Sequence, residues 1–595
     1  MTRLPLHLIP RCSVRATAIS ALALASVLLA ASGDVSYTDS DPRGTLLTAQ
    51  AVLEHGTFAL DAYPEAPSGY RVVERAGRRF YAYPPGTPIA ALPAVAIARL
   101  AGLDMARSED DDVVQRALAA ISVGITAVLA SLLAARWLPW PLATTLAGML
   151  VFGTPVMSTM GTALWSTNLT VVASLFALLL VSTCGASCGG PVRAAAIGAL
   201  LGFAFWCRPP ALLLAGLVVL WMFGRAARSP AAERRSAIVS ALALVAAVLV
   251  SLALLILMSR TTYGTWLPDY YIGARLAASD RFGTALLAHL VSPSRGLLIY
   301  APAAVLALVA ALLSPRRVLR VPLAALALAW LCLHLVVVSR FPHWWGGYGY
   351  GSRLLVDVLP AVFVFSCAAA AAVRGSSRHW RVLGLIALVP AGAAGIWINS
   401  VQGLFNSATA TWNASPNIDG FPGYAFDWRL PQFLATEARL AERRRRHDRW
   451  LRAPLQPRVD YTARSTRLEF ADWSSVEHVE GTALRRSVGR TPSVRFLVGE
   501  DTLRGAERMM LTLRVGAERP LTGHVWFNGQ QVAHLTIRDR EPEHYVIGIP
   551  RALVRTVEYD VLETNVVEWR GTREGEDTAI LLWALRVQAG RRRAS

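Results

Sequence analysis

The chain has little charge for its length and no lysine at all. Of its 595 residues, 17% are charged and 54% are hydrophobic, whereas soluble domains carry roughly 25% charged residues. The mean hydropathy is +0.40. These values exclude an ordinary soluble enzyme and indicate a protein that crosses a membrane several times.

Acidic residues are also scarce, since 59 arginines stand against 40 acidic residues and give a formal net charge of +19. Many of the arginines lie in short loops between hydrophobic segments or in the run Arg443–Arg446. That pattern is typical of a topology signal and a solvated surface. We therefore expect a lipid bilayer as a partner of the chain and no nucleic acid. The chain has only six cysteines, none of them after residue 400, so no disulfide framework holds the C-terminal part.

Eleven hydrophobic segments predict membrane spans. Arginines cluster in loops that all fall on one side if residues 85–102 lie along the membrane, and the positive-inside rule assigns that side to the cytoplasm. The N-terminus is then cytoplasmic, and the rest of the chain after residue 400 lies outside the inner or plasma membrane. An alternative for the first segment is a cleaved signal peptide. The predicted spans are 14–32, 113–135, 139–156, 166–184, 193–207, 209–224, 236–258, 296–313, 321–339, 354–373 and 382–400, and the external loops are 33–112, 259–295 and 340–353.

The sequence changes character at about residue 456. An arginine-rich helix predicted over Ala435–Leu451 is followed by short runs with strand patterns, and Asn528-Gly529 between two of them is a strong hairpin signal. We predict a polytopic α-helical membrane protein with a C-terminal all-β, jelly-roll-like sandwich. The domains are a transmembrane domain over 1–400, a connector over 401–455 and an external β-sandwich over 456–595. The sandwich is either a glycan-binding domain or a structural cap.

Two carboxylates, Asp39 and Asp41, follow directly after the first span in the external loop 33–112. A carboxylate at the membrane boundary is costly to place, which suggests a functional role. It is suited to act as a base or a metal ligand on a substrate anchored in lipid. The alternative for Asp41 is a helix N-cap, because Asp-Pro before a helical run is a good start signal.

The order of motifs after Asp41 resembles the GT-C-fold glycosyltransferases that use polyprenyl-phosphate sugars, such as lipid A aminoarabinose transferase and protein O-mannosyltransferases. In that family an Asp begins the first external loop, and a helix and a Gly follow 15 residues later, as Asp41 and Gly56 do here. An aromatic-Pro-Pro segment, a juxtamembrane helix and a second span come next in the family. The corresponding segments here are Tyr83-Pro84-Pro85-Gly86, Ile89–Gly102 and Val113–Arg136. Relatives often carry an acidic residue and then an Arg just after the Asp. Here Pro42 follows Asp41, and Arg43 stands one place earlier than the Arg of the family.

A second segment, FPHWWGGYGYGSRLL over Phe341–Leu355, resembles a W-x-GG-x-x-x-G-x-R motif of many bacterial members. Aromatic rings beside an arginine suit the stacking of a sugar and the binding of a lipid phosphate. The alternative is an interfacial aromatic belt with an arginine that reaches the membrane surface. Arg208 has the same two interpretations. The predicted substrate-binding residues are Arg353, Trp345, Tyr348, His343, Arg208 and Tyr83.

The resemblance implies transfer of a sugar from a polyprenyl-phosphate donor to a glycan, lipid or protein acceptor at the external face. Asp41 would be the catalytic carboxylate and Asp39 a helper, and either could bind a divalent cation if one is used. Arginines or that cation would offset charge on the departing phosphate. The chain has no GxxxxGK[ST] loop, which agrees with a donor carried by a lipid. The alternatives are a transporter or flippase of lipid-linked glycan and a non-catalytic glycan-binding envelope protein.

Overall fold

The structure, a computed structural model, describes residues 11–184, 189–271, 281–419, 421–452, 458–463, 465, 468–479, 482–488, 491–498, 503, 506–555, 565–571 and 580–589. It divides into two compact units. The helical unit is Met1–Asn413 with Gly423–Thr436, and the β unit is Ala414–Pro422 with Glu437–Ser595. Residues 401–455, the predicted connector, contribute to both units.

The helical unit is built from apolar helices whose small residues allow close packing. A Cβ atom on Gly198, for example, would meet the carbonyl oxygen of Leu244 at 2.4 Å. The helices that carry these two residues therefore approach to backbone contact. The helices are α1 Arg11–Ala31, α2 Thr45–His55, α3 Gly86–Leu100, α4 Ser108–Ala134, α5 Trp140–Phe152, α6 Ser166–Ser182, α7 Pro191–Cys207, α8 Ala211–Arg228, α9 Ala231–Tyr263, α10 Phe282–Val291, α11 Leu297–Tyr300, α12 Pro302–Leu313, α13 Pro315–Val318, α14 Ala324–Ser339, α15 Leu359–Arg374, α16 Arg378–Ile396, α17 Gly403–Phe405 and α18 Ser407–Thr411.

Each of the eleven predicted spans contains a helix. Among the described residues, six helical segments are long and apolar enough to cross a membrane, and the other apolar helices have 10 to 17 residues. The helix α3 has 15 residues, about 22 Å at 1.5 Å per residue, and is shorter than a hydrocarbon core of roughly 30 Å. The helix α10 was not predicted, because it lies within the segment 259–295 that we assigned to a loop. The chain is a multi-pass membrane protein, as predicted.

The segment between α1 and α4 folds as a small layer of its own. A two-stranded hairpin of β1 Val72–Arg75 and β2 Arg78–Tyr81 lies between α2 and α3. Buried apolar side chains from α2, α3 and the start of α4 form a separate core, which includes Leu46, Val95 and Val114. The first external loop of the prediction is therefore a folded platform.

The β unit is an antiparallel sandwich. Its strands are β3 Arg458–Thr462, β4 Glu469–Ala471, β5 Glu477–Val479, β6 Thr482–Arg486, β7 Ser493–Phe496, β8 Arg508–Ala517, β9 Leu521–Phe527, β10 Gln530–Ile537, β11 Glu543–Pro550, β12 Asn565–Gly571 and β13 Ile580–Ala589. One sheet has the order β10-β9-β12-β7-β4 and the other β11-β8-β13-β6-β5, with β3 also paired to β13. One buried core contains side chains of both sheets, such as Phe527 and Leu513.

Two features of the β unit were visible in the sequence. The Asn528-Gly529 turn joins β9 to β10, and both residues have positive φ, 47° and 82°, as a type I′ hairpin requires. The arginine-rich helix is α19, Glu437–Arg452. It packs in the β unit, where the rings of Phe421 and His447 lie 4.6 Å apart. The predicted fold class, a polytopic helical protein with an all-β C-terminal domain, is confirmed.

Candidate functional site

Asp41 forms an ion pair with Arg353, which is 312 residues away in sequence. Each side chain is 17% exposed, so the pair is half-buried and still reachable from solvent. The hydroxyl of Tyr81 donates to the backbone carbonyl of Asp41 and links the loop to β2. The helix α2 begins after Gly44, which occupies the N-cap position without a side-chain cap. The capping interpretation of Asp41 is therefore wrong, and its carboxylate is directed to Arg353.

Arg353 lies on an aromatic ring that the sequence did not assign to the site. Its guanidinium carbon is 4.3 Å from the ring centroid of Trp165, a cation–π contact. Trp165 is only 4% exposed and directly precedes α6. Trp165 is thus a buried support for the arginine.

A second ion pair lies close to the first. The Nε atom of Arg208 is 2.8 Å from Oδ2 of Asp357. This contact is an ion pair rather than an aligned hydrogen bond, since neither atom meets hydrogen-bond geometry. The other oxygen of Asp357 accepts a hydrogen bond from the hydroxyl of Thr167. Arg353 and Asp357 lie on the same 3₁₀ turn, Arg353–Val358, which places the two pairs in one neighbourhood. We call Asp41, Arg353, Trp165, Arg208 and Asp357 the arginine site.

A cluster of tyrosines lines one side of Asp41. The ring of Tyr83 lies 5.2 Å from that of Tyr81 and 5.3 Å from that of Tyr270. Burial raises the pKa of Tyr83 well above its usual range, and the charge of Asp41 raises it further. The Tyr83 phenol therefore stays neutral and can donate a hydrogen bond to a ligand or accept one. Tyr81 has the same raised pKa, again mainly from burial.

The Pro-Pro-Gly segment after Tyr83 packs next to the residues that precede Arg208. A Cβ on Gly86 would meet backbone atoms of Trp206 and Cys207 at 2.6 to 2.8 Å. Only glycine allows the start of α3 to pack so closely against the end of α7. Because Arg208 follows Cys207 directly, the packing at Gly86 brings Tyr83 and Arg208 to the same site.

The predicted aromatic segment forms a loop that a buried arginine organises. Arg295, 3% exposed, donates hydrogen bonds to the carbonyls of Trp345, Gly347 and Gly351. The rings of His343 and Trp345 lie 4.6 Å apart. Tyr348 is 41% exposed. His343, Trp345 and Tyr348 lie in the loop that directly precedes Arg353.

Asp39 lies on the exposed surface, and its backbone carbonyl accepts a hydrogen bond from Arg71. A separate buried pair joins Arg43 to Asp111 at 2.9 Å. In the part of the chain that the structure describes, no group of three or more His, Cys, Asp or Glu side chains is placed to hold a metal ion. Asp39 and Asp41, the two predicted candidates for a metal ligand, belong to no such group among the described residues.

Comparison with known proteins finds likeness only at the level of structure. No family model and no curated protein matches the chain. ArnT from Cupriavidus metallidurans bound to undecaprenyl phosphate is 16% identical over 73% of this chain and 74% of its own, with a TM-score of 0.40. Archaeal oligosaccharyltransferase AglB from Archaeoglobus fulgidus, in complex with an inhibitory peptide and a dolichol-phosphate, is 12% identical over 70% of this chain, with a TM-score of 0.43. This chain spans 60% of the length of AglB.

A third match spans both units. Arabinosyltransferase EmbB from Mycobacterium smegmatis is 12% identical over 99% of this chain and 66% of its own, with a TM-score of 0.39. These three proteins are GT-C-fold glycosyltransferases. The chain resembles them. The resemblance expected from the sequence is thus found again in the structures, while identities of 12–16% leave donor and acceptor open.

Proposed function

We propose that the chain is an integral membrane glycosyltransferase that moves a sugar from a polyprenyl-phosphate donor to an acceptor of the cell envelope. The observation that supports this most is the half-buried pair of Asp41 and Arg353, with a second arginine, Arg208, close by. A carboxylate beside two guanidinium groups suits a reaction in which a hydroxyl loses a proton and a phosphate departs.

Each residue has a distinct role in this proposal. Arg353 and Arg208 offer planar forks to the phosphate oxygens and offset the charge that grows as the C–O bond to the sugar breaks. Asp41 takes the proton of the acceptor hydroxyl, whose oxygen attacks the anomeric carbon from the side opposite the phosphate. The products are an inverted glycoside and a free polyprenyl phosphate.

The ion pair also explains when Asp41 becomes a base. A carboxylate paired with a guanidinium is held in its charged form and binds a proton weakly. A donor phosphate that engages Arg353 competes with Asp41 for the guanidinium and so frees the carboxylate to meet the acceptor hydroxyl. Donor binding would therefore precede the proton transfer.

The orientation follows from the arginine loops. We place the arginine site and the β unit at the external face, the N-terminus in the cytoplasm, and the donor in the outer leaflet of the inner or plasma membrane. The acceptor is a glycan, a lipid or a protein of the envelope. As in the sequence-based expectation, Asp39 would act as a helper from its exposed position.

The test is a transfer assay with purified protein in proteoliposomes. Undecaprenyl-phosphate sugars labelled in the sugar (arabinose, aminoarabinose, mannose or glucose) are mixed with an envelope extract as acceptor. We expect label to leave the lipid fraction and enter the extract for at least one sugar, and free undecaprenyl phosphate to appear in equal amount. Labelled lipid that crosses the bilayer intact would indicate a flippase, and label that stays on lipid without movement would overturn the proposal.

A further inference from the structure

Arg208 is anchored through its Nε atom and is still partly exposed. The Nε atom lies 2.8 Å from Oδ2 of Asp357, and the side chain of Arg208 is 13% exposed. A guanidinium held through Nε still has its two terminal nitrogens as donors, and the exposure lets a ligand reach the side chain. These nitrogens form the terminal fork of an arginine, which is the part that binds two phosphate oxygens.

Asp357 is too deeply buried to meet a substrate itself. Its side chain is 4% exposed, and its second oxygen is occupied by the hydroxyl of Thr167. A buried carboxylate with both oxygens engaged acts on a ligand only through the groups that it holds. The group that it holds on the site side is Arg208.

Two short segments fix both arginines of the site relative to each other. The 3₁₀ turn Arg353–Val358 carries Arg353 at its first residue and Asp357 at its fifth. The start of α6 contacts both of them, since Trp165 lies under Arg353 and Thr167 bonds Asp357. Arg353 and Asp357 are therefore held by the same 3₁₀ turn and by the start of α6. Because Asp357 in turn holds Arg208, these two segments determine the distance between Arg353 and Arg208.

We propose that Asp357 is a positioning residue for the lipid phosphate. It holds Arg208 by Nε so that the terminal fork of Arg208 and the guanidinium of Arg353 receive one phosphate group together. Thr167 holds Asp357 in the orientation that this requires. This inference rests on the proposed function, which supplies the phosphate-bearing donor.

The probe is undecaprenyl phosphate, which carries no sugar and so reports on phosphate binding whether or not transfer is found. Its Kd is measured with the full chain in nanodiscs for wild type, Asp357→Asn, Arg208→Gln and the double variant. Donor KM and kcat are measured beside it, and thermal unfolding reports on the fold. Asp112→Asn is the matched control, because Asp112 also accepts a hydrogen bond from a threonine, Thr38, and also pairs with an arginine, Arg116.

We expect Asp357→Asn to weaken undecaprenyl phosphate binding by about tenfold and to raise donor KM similarly, since misplacing a guanidinium forfeits a bidentate contact, with kcat less affected. In the Arg208→Gln background, Asp357→Asn should cause no further loss, because it acts through Arg208. Asp112→Asn should leave Kd and KM unchanged.

Removal of one partner from a buried ion pair can prevent folding, because the other charge is left unpaired. Thr167→Val keeps both charges and removes only the hydroxyl, so a smaller rise in Kd for this variant, roughly threefold, would support the proposal if Asp357→Asn does not fold. Losses of binding that add in the double variant would overturn it. So would a lower unfolding temperature with unchanged Kd and KM. If these Kd shifts are found but no sugar is transferred, the proposed function is overturned and the role of Asp357 in phosphate binding stands.

Discussion

Two Arg–Asp pairs of the helical unit have the same chemistry and opposite surroundings. Arg43 and Asp111 are 9% and 1% exposed, and Arg43 also donates to the carbonyls of Met105 and Ala106. Arg353 and Asp41 are 17% exposed each, and the arginine lies on a tryptophan ring. The first pair is closed off by the backbone of the segment before α4, while a ligand can reach the second.

The comparison separates a structural pair from a candidate reactive pair. A fully desolvated pair cannot exchange its partner without exposing a charge to an apolar surrounding, so it holds the fold. A partly solvated pair can exchange one partner for a ligand, because water and the ligand screen the charges during the exchange. We infer that burial, rather than residue type, distinguishes Asp41 from Asp111.

The largest effect is expected from removing the buried pair, and it is an effect on stability. Arg43→Met leaves Asp111 buried and unpaired, and we expect a loss on the order of 3–5 kcal/mol in the free energy of unfolding. Arg78→Met is the matched control, because Arg78 pairs with Asp61 at the surface, with side chains 51% and 40% exposed. Exposed pairs contribute roughly 0–1 kcal/mol. Thermal unfolding in detergent measures both variants, and equal shifts would contradict the assignment of Arg43–Asp111 as structural.

The loop that carries Asp41 gives the next largest effect. Gly44 has φ +107°, and a Cβ there would lie 2.8 Å from the ring of Tyr81. We expect Gly44→Ala to destabilise the protein by about 1–3 kcal/mol through backbone strain and to lower kcat, because Tyr81 holds the carbonyl of Asp41. Gly56→Ala is the control: φ is +64°, but nothing lies within 4 Å of the added atom. It should cost about 1 kcal/mol and leave kcat unchanged. A Gly44→Ala protein with normal kcat would show that this contact does not place Asp41.

Arg353→Lys tests whether the accessible pair of Arg353 and Asp41 binds the donor. The substitution keeps the charge opposite Asp41 and removes the planar fork. We expect donor KM to rise by about tenfold, which corresponds to roughly 1.4 kcal/mol, with little change in unfolding temperature. Arg340→Lys, at an exposed arginine before the same loop, should change neither quantity. An unchanged donor KM for Arg353→Lys would favour the interpretation of Arg353 as an arginine that only reaches the membrane surface.

The sequence was informative wherever the signal is local. Asn528-Gly529 was predicted as a hairpin turn, which needs positive φ at two adjacent residues, and both residues have positive φ. This signal depends on two neighbouring residues only. Long apolar runs likewise predicted the spans, because a bilayer requires them. The 10-residue α10 was missed because it is too short to read as a span.

The contacts of the site were not visible in the sequence, because they join residues far apart. Asp41 and Arg353 are 312 residues apart, and Thr167 and Asp357 are 190 apart. Asp357 stands in an ordinary apolar stretch, and nothing in its neighbours indicates that Arg208 lies opposite. Trp165 has the position of an interfacial aromatic, and only the fold brings it under Arg353. Asp41, Arg353 and Arg208 were each predicted as candidates, but the pairs that they form depend on tertiary packing.

The measurement that tests the account most directly is the kcat of Asp41→Asn with the donor sugar identified in the transfer assay. Asparagine keeps the shape of the side chain but cannot take a proton, and general-base catalysis contributes ~10²–10⁴ in rate. Asp61→Asn serves as the control, because Asp61 lies on the same platform at the surface. We expect Asp41→Asn to lower kcat by on the order of a hundredfold or more, with normal folding and membrane insertion, Asp39→Asn to lower it less, and Asp61→Asn to leave it unchanged. A well-folded Asp41→Asn protein with near wild-type kcat would contradict the assignment, and loss of activity in Asp39→Asn alone would transfer the role to Asp39.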